Sequence, residues 1–113
     1  MADKNIYILQ HILRYCVEIT EMRNRFGDSL DAFNWDYAYR HACTMCIVQI
    51  GELSANLTDD FKSKYNEIPW RDIKAMRNLF AHNYRKMDIE RTWETIVSDI
   101  PALKAYCDYI LRV

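Results

Sequence analysis

The sequence predicts an all-α fold, an up-and-down four-helix bundle with a short extra helix, on three observations. Only two glycines and two prolines occur in 113 residues, too few for the frequent turns of a many-stranded sheet. Apolar residues recur at steps of three and four along most of the chain, the period of a helix with one buried face. The few turn residues and helix caps fall between those stretches and leave short connections, which suit an up-and-down bundle. The length fits one helical domain over residues 1–113.

The first helix is expected from about Asp3 to Phe26, with Ile6, Leu9, Leu13, Cys16 and Thr20 as its apolar stripe. Gly27 is placed to end it, because glycine accepts the left-handed conformation that closes helices. Asp28 or Ser29 caps the next helical stretch, which runs to about Leu57 with Asn34 as the place for a break. In it Ala38, Ala42, Met45 or Cys46, Gln49 and Leu53 share a face whose small residues would admit a close neighbour. The segment from Asn56 to Asp60 ends that stretch and caps a short helix through Tyr65. Pro69 suits a helical first turn, so a third long helix is expected to start there and run through Arg77 to about His82. Asp88 caps the last helix, which turns Ile89, Trp93, Ile96 and Val97 to the core. Pro101 should break or kink it at Asp99 or Ile100; beyond, Leu103, Tyr106, Cys107 and Ile110 share a face.

Several function classes are disfavoured by the bulk properties. No apolar run approaches the roughly 18 residues that span a bilayer. The start lacks a basic region, a long apolar stretch and a cleavage site, so no signal peptide is expected. Cys16, Cys43, Cys46 and Cys107 then read as reduced thiols of a cytoplasmic protein. The net charge of −1 is low for a freestanding nucleic-acid binder. It hides an asymmetry. From Arg71 to Arg91, six cationic residues face only Asp72, Asp88 and Glu90, a surplus of three.

That basic segment contains Arg77-Asn78-Leu79-Phe80-Ala81-His82-Asn83-Tyr84. Arginine grips phosphate oxygens in a fork, and an imidazole exchanges protons near neutral pH. Asparagine can orient either, and tyrosine adds a hydroxyl. On a continuous helix Arg77 and Tyr84 share a face, while His82 lies about 140° from Arg77. Either the helix ends or loosens before His82, or a second copy completes the site across a two-fold axis. Spacing alone is a weak signal, since an Arg-x4-His match arises readily by chance in helical proteins.

A wider pattern is more specific. Ile50-Gly51-Glu52-Leu53, Ile68-Pro69-Trp70-Arg71-Asp72-Ile73, Met76-Arg77-Asn78, Ala81-His82-Asn83-Tyr84 and Trp93 occur in order over nearly the whole chain. This pattern resembles the HepT-like branch of the HEPN superfamily, whose Arg-x4-His-x-Tyr motif is complete as Arg77, His82 and Tyr84. The resemblance implies a four-helix-bundle homodimer acting as a ribonuclease toxin, with both motifs facing one cleft at the dimer interface. It implies a minimal nucleotidyltransferase antitoxin as partner, transferring AMP from ATP to the motif tyrosine. Carried over, Arg77 holds the scissile phosphate of an RNA substrate. His82 is general acid or base in attack by the ribose 2′-hydroxyl, with no cofactor or metal. Asn78 and Asn83 support them, and Tyr84 is the site of AMPylation. Asn83 stands where an aspartate is most often expected, so no carboxylate acts there.

Other features read as structural. Cys43-x-x-Cys46 has no second ligand pair for zinc. His11 and His41 are expected to be partly exposed or hydrogen-bonded, and Tyr7, Tyr15, Tyr37, Tyr39, Tyr106 and Tyr109 to be core or interface aromatics. Glu52 is expected to pair structurally with an arginine. A non-catalytic helical docking partner for a nucleotidyltransferase remains the rival function, favoured by the near-neutral charge. The intact motif favours the ribonuclease more. A substrate-binding module of a larger nucleotidyltransferase is a weaker third reading.

Overall fold

A computed structural model describes residues 3–112 of the chain, which are mostly helical with no strand among them. Met1 and Ala2, on which part of the leader reading falls, lie outside the described residues.

Helix α1 (Asp3–Phe26) buries Ile8, Leu9, Ile12, Cys16 and Ile19. The buried stripe is therefore rotated from the expected one: Leu9 and Cys16 are in it, whereas Ile6, Leu13 and Thr20 lie at its flanks. Gly27 ends α1 as expected, with φ +114° and its N–H on the Arg23 carbonyl. The Arg23 guanidinium then forks onto both carboxylate oxygens of Asp28, at 2.8 and 3.1 Å. Ser29 rather than Asp28 caps α2 (Leu30–Trp35), its Oγ accepting from the Ala32 N–H.

The break after α2 falls at Asp36, two residues beyond Asn34. Asp36 has extended backbone and its carboxylate accepts the Ala38 and Tyr39 N–H groups, capping α3 (Tyr37–Ala55). On α3 the face met by the core is Tyr39, Cys43, Cys46, Ile47, Ile50 and Ser54. Of the expected stripe, Cys46 is buried and Ala42, Gln49 and Leu53 are half-buried, while Ala38 and Met45 are exposed and are corrected. The residue that allows close approach is Gly51, whose missing Cβ would lie 2.4 Å from Arg77 Cβ.

Thr58 caps α4 (Asp59–Lys64) and exchanges hydrogen bonds of 3.0 and 3.1 Å with the buried Asn5 amide of α1. Pro69 directly precedes α5 (Trp70–Asn83), and the Trp70 indole N–H donates to the Tyr65 carbonyl. Asp88 caps α6 (Ile89–Glu94) through the Arg91 N–H.

Pro101 does not break the last helix, but the helix changes type between Asp99 and Ile100, the expected boundary. A π-helical stretch, Thr95–Asp99, joins α6 to α7 (Ile100–Arg112) and the chain stays helical from Ile89 onward. An α-turn would ask Pro101 for an N–H it lacks. The widened turn shifts the hydrogen-bond register just before it, with Ile100 N–H reaching Thr95, and takes the ring without a break.

Helix α1 packs on α3 and α7, and α3 packs on α5. Of the tyrosines, only Tyr39 is fully in the core, stacked on Phe26 and edge-on to Phe33 and Trp93. Tyr7, Tyr37 and Tyr109 are exposed, so no core role holds for them.

All four cysteines are free and buried in this core, and burial pushes each thiol, and the Tyr39 phenol, up to about 12. Their unfolded reference values are 9.0 for the thiols and 10.0 for the phenol, so at alkaline pH the unfolded chain loses these protons first. Stability from this source is whole below pH 9.0 and is lost progressively as pH rises towards about 12. Denaturant titrations between neutral pH and pH 11 are expected to show that decline. In the native state at neutral pH, a thiol reagent is expected to leave all four cysteines unlabelled.

Candidate active site

The C-terminal half of α5 carries Arg77 and His82, with Tyr84 just beyond its end, and the packing of α5 on α3 decides where Arg77 points. Arg77 lies against Gly51, its Cβ and Cγ occupying the space a side chain there would fill. Its Nη1 pairs with the Glu52 carboxylate, the arginine pairing expected for that residue. The Arg77 side chain is 20% exposed, and its Nε is buried without a partner. Nη2 makes no hydrogen bond among the described residues, so one edge of the guanidinium is uncommitted.

Helix α5 does not end or loosen before His82, which removes the first of the two routes to convergence. It continues to Asn83, where φ −152° and ψ 48° leave the helical region. His82 is exposed, five residues beyond Arg77, and has no contact with it through a hydrogen bond or ion pair. Asn78 and Asn83 are exposed on the same helix, and neither side chain is hydrogen-bonded among the described residues.

The bend at Asn83 sets Tyr84 at the head of a 3-10 turn, Tyr84–Lys86, and turns its ring back to α3. The ring sits 5.4 Å from that of His41, and the hydroxyl is buried beside Thr44 without a hydrogen bond of good geometry. Burial pushes its phenol above the ordinary value, with Thr44 and Arg40 pulling the other way. Arg77 and the Tyr84 ring thus both face α3, the tyrosine by way of the bend at Asn83, while His82 is exposed. Within one chain the three are not brought together.

Arg40, His41 and Thr44, the surroundings of Tyr84, were missed by the sequence reading. Their only signal was periodicity on α3, which cannot report a contact made from the far end of α5. A cavity of about 430 Å³ lies between α3, α5 and the α6–α7 stretch. It is mainly apolar, lined by Ile50, Ile73, Met76, Leu79 and Leu103 among others, and none of Arg77, His82 or Tyr84 reaches it. The motif, not this cavity, carries the candidate chemistry.

The family model described as ribonuclease HepT-like matches residues 12–110. The chain belongs to the HepT-like ribonuclease family. A protein of Caldanaerobacter subterraneus subsp. tengcongensis named as a candidate RNase is 33% identical over 104 residues, covering 92% of this chain and 91% of the relative. A gamma-glutamylcyclotransferase and candidate RNase of Methanocaldococcus jannaschii is 36% identical over 102 residues, 90% of this chain but 45% of that longer protein. The probable ribonuclease HepT of Thermococcus cleftensis is 46% identical over 55 residues, about half of each chain. No solved structure matches the chain. Family membership supports ribonuclease activity, and none of the described helices is long and apolar enough to cross a membrane.

Proposed function

We propose that this HepT-like protein is a metal-independent endoribonuclease, the toxin of a toxin–antitoxin system acting in the cytoplasm. The observation that carries the reading is the motif itself: Arg77 offers a free guanidinium edge and His82 an exposed imidazole five residues on. On this reading Arg77 binds the scissile phosphate and stabilises the charge that builds on it. The ribose 2′-oxygen bonds to phosphorus while the P–O5′ bond breaks. His82 takes the 2′ proton or delivers one to the leaving 5′-oxygen. Asn78 and Asn83 hold phosphate or imidazole by hydrogen bonds.

Because α5 keeps Arg77 and His82 about 140° apart, the complete site is proposed at a two-fold homodimer interface between up-and-down four-helix bundles. There the His82 of one copy can face the Arg77 of the other. Inhibition is proposed as AMPylation by a minimal nucleotidyltransferase antitoxin. The Tyr84 oxygen attacks the α-phosphorus of ATP, loses its proton and releases pyrophosphate. The added bulk and negative charge repel the RNA backbone. The Tyr84 hydroxyl is buried beside Thr44, so the 3-10 turn has to open for this transfer.

The rival reading, a non-catalytic docking partner for a nucleotidyltransferase, draws on the same burial of Tyr84 and on the engagement of Arg77 by Glu52. Purified protein expressed without a nucleotidyltransferase separates the two. Chelator-resistant RNA cleavage leaving cyclic phosphate ends, lost in Arg77→Ala and His82→Ala, is the expected result. Folded protein that cleaves no RNA pool, with the variants indistinguishable from wild type, would support docking. Growth arrest on expression should likewise disappear in His82→Ala.

A further inference from the structure

We infer that Glu52 is the positioning residue for Arg77, fixing the edge of the guanidinium that meets phosphate; its catalytic consequence rests on the ribonuclease reading. Three features of the α3–α5 contact converge on one side chain. Gly51 leaves the space in which the first carbons of Arg77 lie, so the stem is laid against α3. The next residue, Glu52, then takes Nη1. Nε is buried with no partner of its own. Two of the three guanidinium nitrogens are thereby withdrawn, one paired and one buried, and Nη2 alone is left to an incoming oxygen.

A carboxylate beside a phosphate site cannot raise affinity for RNA, since it repels the anion it would help to bind. What it contributes is orientation. An arginine free to rotate spreads its donors over many directions, whereas one held at Nη1 presents Nη2 in one direction without further ordering when the transition state forms. Glu52 is 53% exposed, so its side chain can be changed without opening the core. The expected signature is a loss in kcat with no rise in KM.

Steady-state cleavage by wild type, Glu52→Ala and Glu52→Gln tests this alongside nitrogen-15 NMR of the Arg77 Nε–H proton, assigned by its loss in Arg77→Lys. In Glu52→Ala, kcat should fall by about tenfold or more while KM stays level or drops. Glu52→Gln keeps an oxygen acceptor without the charge, and should recover most of kcat with a KM below wild type. Exchange of the Nε–H with water should quicken by about tenfold or more in Glu52→Ala, because its cover depends on the held guanidinium. An unchanged Nε–H exchange rate, or a wild-type kcat in Glu52→Ala, overturns the assignment. If wild type cleaves no RNA but exchange behaves as expected, the ribonuclease reading fails and the positioning of Arg77 by Glu52 stands.

Discussion

His82→Ala is expected to slow RNA cleavage by about 10²–10⁴-fold, the usual contribution of a general acid–base group. Thermal stability should stay within about 0.5 kcal/mol of wild type, as for surface substitutions that remove no partner. The two halves follow from one fact. His82 is exposed at the end of α5 and makes no hydrogen bond or ion pair among the described residues, so nothing in the fold depends on its ring. Arg77→Ala should lose cleavage as well but differs in kind. Arg77 fills the space over Gly51 and pairs with Glu52, so its removal takes away packing and leaves a carboxylate without its partner. Melting curves recorded beside initial rates distinguish the cases. Wild-type cleavage by a folded His82→Ala protein would take the imidazole out of the mechanism.

The parts of this fold that could be read from sequence are those decided within a few residues. Gly27, Thr58 and Asp88 end or begin helices because their effect acts on the neighbouring turn. Pro101 marks the boundary at Asp99 and Ile100 by the same local logic, but the chain answers it with a π-helical turn that a rule for ideal α-helices omits, not with a break. The buried faces of α1 and α3 were less legible. Each of these helices packs on two neighbours, so apolar residues surround more than one face and the period no longer marks a single direction. Cys43 and Cys46 show the same thing, both buried on α3 while the intervening Met45 is exposed. For the site, the identities of Arg77, His82 and Tyr84 were legible as a motif, but their directions were not. The bend at Asn83 that swings Tyr84 to His41 and Thr44 has no signature in residue spacing. The Glu52–Arg77 pair links positions 25 residues apart, and only the packing of α3 on α5 brings them together.

Gly51→Ala puts that packing to the test, because two physical effects predict opposite signs. Glycine inside a helix is less favourable than alanine by about 0.8–1.0 kcal/mol, so propensity alone predicts stabilisation. Against this, an added Cβ would stand 2.4 Å from Arg77 Cβ and 2.7 Å from Arg77 Cγ. The nearer of these atoms is fixed to the α5 backbone and cannot swing aside as the end of a flexible chain would. Helix α5 must therefore retreat from α3 along their contact. Overpacking of this sort costs about 1–3 kcal/mol, which meets or exceeds the propensity gain. The expected result is a net loss, and each 1 kcal/mol should lower Tm by about 4 °C in a domain of this size. Because the displaced atoms are the stem of Arg77, cleavage should fall even at temperatures where the variant is fully folded. A double-mutant cycle with Arg77→Gly isolates the clash: without Cβ and Cγ at position 77, alanine at position 51 meets neither of those atoms, and its cost should shrink or reverse. A Gly51→Ala protein more stable than wild type, with unaltered cleavage, would mean that α3 and α5 do not approach so closely. The seat assigned to Arg77 would then be lost with that contact.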